Sequence, residues 1–191
     1  MGSGKAKTAA AAGTVVSVLS IAWLMRDSDR PVSAKAEIDI AAPVKQVWEI
    51  EADIAGWPRW NSSIQTMEVH GAVAPGTPFS WKTGGVSIDS KIREVVPCRR
   101  IVWSGSAFGI DALHAWTFEA TEHGTHVTTE ETFTGPLAWL LPGTMRQLLV
   151  TALQKGVRLL KEESERTTAL SQRRRRDDAM SDGSHRFERG G

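Results

Sequence analysis

Tyrosine is absent from the chain and cysteine occurs once. A lone cysteine, Cys98, excludes an intramolecular disulfide and any multi-cysteine metal centre. It stands in "VPCRR" with no base beside it, so it reads as a turn or edge residue rather than a nucleophile. Excess charge of one sign is also missing. A formal net charge of +1 gives no basic field for nucleic acid, and no nucleic-acid partner is expected. There is no G-x-S-x-G elbow, no H-E-x-x-H and no clustered carboxylate pattern. His123 and His126 merely straddle a turn, and "KTGG" (82–85) reads as a hairpin turn because no helix start follows it. No metal and no cofactor are expected. Internal repeats are absent too.

Long apolar runs are scarce, with one exception. Residues 9–25, "AAAAGTVVSVLSIAWLM", carry no charge. As a helix they would span roughly 25 Å, the short end for crossing a bilayer. Trp23 sits near one end, where indole favours the interface. Lys5 and Lys7 precede the run and "RDSDR" follows it. The expectation is a single-pass membrane anchor, N-terminus inside and domain outside. A cleaved signal is the rival reading, but its small-residue candidate, Ala34–Ala36, lies well past the run and inside the first strand. A helix merely packed on the domain is the third.

The chain therefore divides into an apolar segment and linker (1–31), a folded domain (32–169) and an Arg-rich tail (170–191) expected to be disordered. Hydrophobic residues make up 41% of the chain, enough for one domain core, and eight tryptophans supply most of its aromatic bulk. "AKAEIDI" alternates Ala36, Ile38 and Ile40 against charged neighbours, a half-buried strand. Pro43 suits the first turn of a helix, and Val44, Val47 and Trp48 share one side of it. Gly56 interrupts that helix, and Pro58 is expected to open a second one through "PRWNSS". Trp57 and Trp60, three apart, then share a face. Trp60 is expected to close one end of the domain, with Asn61 as the nearby polar group.

Six strand-like runs follow: 64–70, 77–83, 86–95, 100–105, 111–121 and 125–133, separated by "APG", "GG", "PC" and "EHG" turns. Met145, Leu148, Leu149, Ala152 and Leu160 recur at helical spacing, behind a T-x-x-Q capping box at Thr144 and Gln147. This predicts one helix over 144–169. The result is an α+β fold: a curved seven-stranded antiparallel sheet around a long C-terminal helix, with two short helices between the first two strands. Gly156 on the helix marks close packing or cavity space.

Register sharpens the last hairpin. A short loop over 121–124 pairs Phe118 with Val127, Trp116 with Thr129, and His114 with Glu131, all on the more apolar faces. His114 and Glu131 are thus the candidate acid–base pair. The carboxylate would raise the imidazole pKa while burial lowers it. The plainer alternative is a satisfied polar pair in the sheet. The inward wall comprises Ile38, Phe79, Trp81, Ile88, Ile92, Trp103, Trp116 and Phe118 from the sheet, and Met145, Leu149, Ala152 and Leu153 from the helix.

The stretches "EIDIAAPVKQVWEIEADIAGWPRWNSSI" and "LHAWTFEATEHGTHVTTEETFTGPLAWLL" resemble the START-related, Bet v 1-like helix-grip superfamily. The nearest resemblance is to the SRPBCC proteins of the polyketide cyclase/dehydrase and lipid-transport type. It rests on Ala42-Pro43, Val47-Trp48, Asp53 and "GWPRWN", and covers the whole proposed domain. The resemblance implies an apolar cavity between sheet and helix, and carriage of a small lipophilic molecule in it. The alternatives are a cyclase/dehydrase-type enzyme using His114 and Glu131, and an interaction protein whose cavity is filled by side chains. The family shares no universal catalytic motif, and neither the sequence nor the resemblance fixes an oligomeric state.

Overall fold

A computed structural model describes the backbone of residues 31–187 and the side chains of residues 31–180. The uncharged run over residues 9–25 lies outside the described residues. Among those described, no helix is long and apolar enough to cross a membrane.

β1 (Val32–Ile40) is followed by α1 (Val44–Ala52) and a 3-10 helix (Ile54–Arg59). Six strands come next: β2 (Ile64–Val69), β3 (Pro78–Thr83), β4 (Val86–Val96), β5 (Arg100–Ala107), β6 (Ile110–Thr121) and β7 (Gly124–Thr134). Then come α2 (Pro136–Leu140) and α3 (Pro142–Phe187). All strands form one antiparallel sheet in the order β1-β7-β6-β5-β4-β3-β2. Consecutive strands from β2 to β7 are neighbours, as short turns dictate, and β1 closes onto β7. This is the helix-grip architecture.

The β6–β7 register puts Phe118 opposite Val127, Trp116 opposite Thr129 and His114 opposite Glu131. Gly124 holds the turn in place. Its φ is +149°, and a Cβ there would sit 2.0 Å from the Ile40 carbonyl oxygen. Only glycine allows the hairpin to lie this close to the end of β1.

α3 is tied down by polar contacts as well as its apolar stripe. The Lys161 ammonium donates to the Asp39 carbonyl (2.6 Å), the Ala41 amide donates to the Glu165 carboxylate (2.9 Å), and the Gln46 amide donates to the Ser164 carbonyl (2.7 Å). Beneath them Leu149, Leu153, Val157 and Leu160 are buried at i, i+4, i+8 and i+11.

Four local expectations differ from the structure. The second short helix begins at Ile54 and contains Pro58 instead of starting there, because the Asp53 carbonyl already accepts the Gly56 amide at 2.8 Å. Trp57 is consequently the more deeply buried of the pair, while Trp60 packs half-buried against the same core, as expected. The capping box at Thr144 does not form. Pro142 occupies the first turn, where its missing N–H costs nothing, and the Met145 amide bonds to the Leu141 carbonyl. α2 adds a turn that its five residues were too few to announce. Finally, α3 runs past Ala169 through Phe187. The charged stretch lacks apolar residues to bury, but Arg173 and Arg174 stand four residues before Asp177 and Asp178. That spacing suits a solvent-exposed helix.

Candidate functional site

The side chains inside the grip are uneven in size. Near α1 the sheet contributes Phe79, Ile92, Ile101, Phe118 and Val127, each 2% exposed or less, and these meet Val47, Trp48, Ile54 and Trp57. Toward the opposite end, inward positions carry Gly105, Ala107 and Ala112, and α3 presents Gly143, Ala152 and Gly156. Small residues facing small residues leave space.

That space forms two adjoining cavities. The outer one has a volume of about 1060 Å³ and is bounded by the β3–β4 hairpin, the β5–β6 turn, α2 and the first half of α3. Ile88, Ala112, Met145, Leu148 and Phe133 make its wall predominantly apolar. Phe108 stands at its rim with 78% of its surface exposed. The inner cavity, about 180 Å³, reaches toward α1 and is lined by Trp57, Trp60, Trp81, Trp103 and Trp116 together with Glu51, His114 and Glu131. Trp81, Thr83, Trp103, Glu131 and Ala152 border both.

Of the wall residues expected from sequence, Trp60, Trp81, Ile88, Trp103, Trp116, Met145, Ala152 and Leu153 line one or both cavities. Phe79, Ile92, Phe118 and Leu149 do not; they are core. Ile38 packs against the core from its edge. Strand alternation shows which side chains point inward, but not how far the helices fill the space they point into. The alternative of a cavity closed by side chains is not what the structure shows. Several indoles pack on one another instead, with Trp57 and Trp103 at a centroid separation of 5.1 Å. Gly156 fits the cavity-space explanation: a Cβ there would meet Trp116 at an ordinary 3.6 Å, and any larger side chain would enter the inner cavity. Asn61 lines the inner cavity, and its Oδ1 accepts the Ser63 amide at 3.0 Å in the turn after the 3-10 helix.

His114 is held between Trp103 and Trp116, with ring centroids 4.6 and 5.7 Å away. Its Nε2 lies 2.8 Å from the Thr129 hydroxyl, which in turn donates to the Ala115 carbonyl at 3.3 Å. With that hydroxyl proton committed, Thr129 accepts from Nε2–H, and Nδ1 is left as an acceptor. Nδ1 faces the Glu131 carboxyl at 3.6 Å, longer than a hydrogen bond. The side chains keep 13% and 15% of their surface exposed, and both line the inner cavity.

That separation would suit an ion pair, but burial acts against both charges. It pulls His114 down to about 3 and pushes Glu131 up to about 7. Of the two opposing influences on the imidazole, desolvation therefore outweighs the carboxylate. Between about pH 3 and about pH 7 the pair is a neutral acid facing a neutral base. Such a pair can hand a proton to, or take one from, a ligand polar atom placed between them.

Glu51 was not anticipated. It is 2% exposed on α1, its Oε2 has no hydrogen-bond partner, and burial alone holds its carboxyl well above the usual range. Its backbone carbonyl accepts the Trp57 indole N–H at 2.8 Å, which fixes Trp57 beside it. A signal was present: Glu51 follows Val44, Val47 and Trp48 at helical spacing, which puts it on the apolar stripe. The Trp116 indole N–H is also buried without a partner.

Structures with the same fold include the aromatase/cyclase ZhuI from Streptomyces sp. R1128, with 16% identity and a TM-score of 0.62 over 73% of this chain and 96% of that one. The di-domain ARO/CYC StfQ of the steffimycin biosynthetic pathway has 18% identity and a TM-score of 0.66 over 87% of this chain and 63% of that one. Norcoclaurine synthase from Thalictrum flavum, in complex with dopamine and hydroxybenzaldehyde, has 12% identity and a TM-score of 0.58 over 71% and 87%. At these identities the likeness shows the fold. No curated protein matches the chain. The sequence itself matches a family over residues 31–165, from the start of β1 to the middle of α3. The chain belongs to the polyketide cyclase / dehydrase and lipid transport family.

Proposed function

We propose that the domain binds and carries a small lipophilic molecule in the grip between sheet and α3. The observation that carries this reading is the outer cavity of about 1060 Å³, open at one end and predominantly apolar. An apolar wall of this size gains its binding energy from removing ligand surface from water, at about 25 cal/mol per Å². The buried titratable groups Glu51, His114 and Glu131 sit at the inner end, so a ligand with a polar end is carried with that end inward. The test is a fluorescence titration with N-phenyl-1-naphthylamine, an apolar dye that brightens when it leaves water. One-to-one uptake is expected; no brightening at any protein concentration overturns the reading.

A second reading has its own support, the neutral His114–Glu131 pair at 3.6 Å beside the cavity. In it the domain transfers protons on a bound carbonyl compound, as a cyclase or dehydrase does. Glu131 supplies the proton and His114 Nδ1 receives one. His114→Ala then removes turnover and leaves dye uptake in place. Turnover that survives the substitution overturns this reading. Membrane tethering through residues 9–25 completes the proposal. It is supported by the uncharged run between Lys7 and Arg26, and it predicts that the full chain pellets with membranes while residues 32–191 stay in solution.

A further inference from the structure

We infer that the inner cavity is a site for the cationic amine head of a lipophilic ligand, held between Glu51 and Glu131 within a wall of indoles. The inference rests on the binding reading above and specifies the ligand that the reading leaves open.

Charge complementarity is the first argument. The titratable groups lining the inner cavity are Glu51, His114 and Glu131, and no lysine or arginine is among its lining residues. Lys155 borders the outer cavity, and Arg59 on the neighbouring 3-10 helix is paired with Asp53 outside. Two carboxyl groups thus share a small space with no lysine or arginine to answer them. The second argument is the unmet hydrogen-bonding capacity. Glu51 Oε2 is buried without a partner, and Glu131 makes no hydrogen bond to His114 at 3.6 Å. An ammonium brings up to three donors, which matches two carboxylates better than any neutral head does.

The third argument is the wall. Five tryptophans line a cavity of about 180 Å³. Indole is the side chain with the strongest attraction for a desolvated cation. His114 does not compete for the carboxylates, because burial keeps its imidazole uncharged. Burial is likewise what holds the two carboxyls protonated in the empty cavity, so an entering ammonium displaces their protons. A carboxylate or phosphate head would find no lysine or arginine in the lining.

The experiment compares decylamine, 1-decanol and decanoic acid, which share one alkyl chain, by quenching of tryptophan fluorescence in the wild-type chain. The amine is expected to bind about tenfold or more tighter than the alcohol, with the acid weakest. Its affinity should rise about tenfold between about pH 6 and pH 8, with proton release seen by calorimetry in two buffers of different ionisation enthalpy. Glu51→Gln and Glu131→Gln, both near-isosteric, should each lower the amine-to-alcohol ratio about tenfold. Equal or tighter binding of the alcohol or acid overturns the cationic site while leaving cavity binding intact. Binding of none of the three overturns both.

Discussion

The two ends of the grip are built from the same strands and the same helix, yet one is solid and the other hollow. At the α1 end, Phe79, Ile92, Phe118, Val127 and Leu160 interlock with Val47, Ile54 and Trp57 at near-zero exposure. At the far end, Gly105, Ala112 and Ala152 face one another across an open cavity. Hydrophobic alternation is identical in both halves; side-chain volume decides which half closes. The solid end supplies stability and the hollow end supplies a site. Between them lies the inner cavity, where large indoles and buried carboxyls meet.

Substitutions along α3 should expose that division. Leu160→Ala at the solid end removes a fully buried side chain and should cost about 3–4 kcal/mol in urea unfolding. A loss near that of an exposed leucine would mean that the solid end is not packed as described.

The boundary between the ends should show itself in pH dependence. Glu131 titrates near 4.5 when unfolded and near 7 when folded. Its contribution to stability is therefore present below pH 4.5 and lost as pH rises through about 7, a difference of the order of 3 kcal/mol. Glu51 acts in the same direction. His114 acts oppositely: its pKa falls from 6.5 to about 3 on folding, so its contribution is present above 6.5 and lost as pH falls. Relative to wild type, Glu131→Gln should gain stability as pH rises from 4.5 to 7, and His114→Gln should gain as pH falls from 6.5. Parallel stability curves for the variants and wild type would refute the buried, neutral pair.

Smaller effects are expected at the hollow end. Ala152→Trp places an indole where both cavities meet and should weaken dye uptake about tenfold or more, while changing unfolding free energy by less than about 1 kcal/mol. Leu148→Ala, at a side chain 50% exposed on the outer wall, should change stability by less than about 1 kcal/mol. If Leu148→Ala costs as much as Leu160→Ala, the contrast between the ends collapses.

Much of this architecture is legible in the sequence because strands announce themselves by period and turn chemistry. The Thr121–Gly124 turn alone determines that His114 meets Glu131. Depth was less legible. Phe79 and Trp81 stand on one face of one strand, but the first is core and the second is cavity wall, and only the placement of α1 and α3 separates them. Glu51 was hidden because Glu49 and Glu51 look alike in "VWEIEA", whereas helix geometry exposes one and buries the other. Trp57 became the buried anchor because the 3-10 turn starts from Asp53 rather than Pro58.

The central claim, a lipophilic ligand seated between sheet and helix, is tested most directly by native mass spectrometry of the chain purified from its own host. The account predicts a second species heavier by one small molecule, lost on mild activation and absent from Ala152→Trp. A bare chain mass under the gentlest conditions, together with no uptake of N-phenyl-1-naphthylamine, would contradict it.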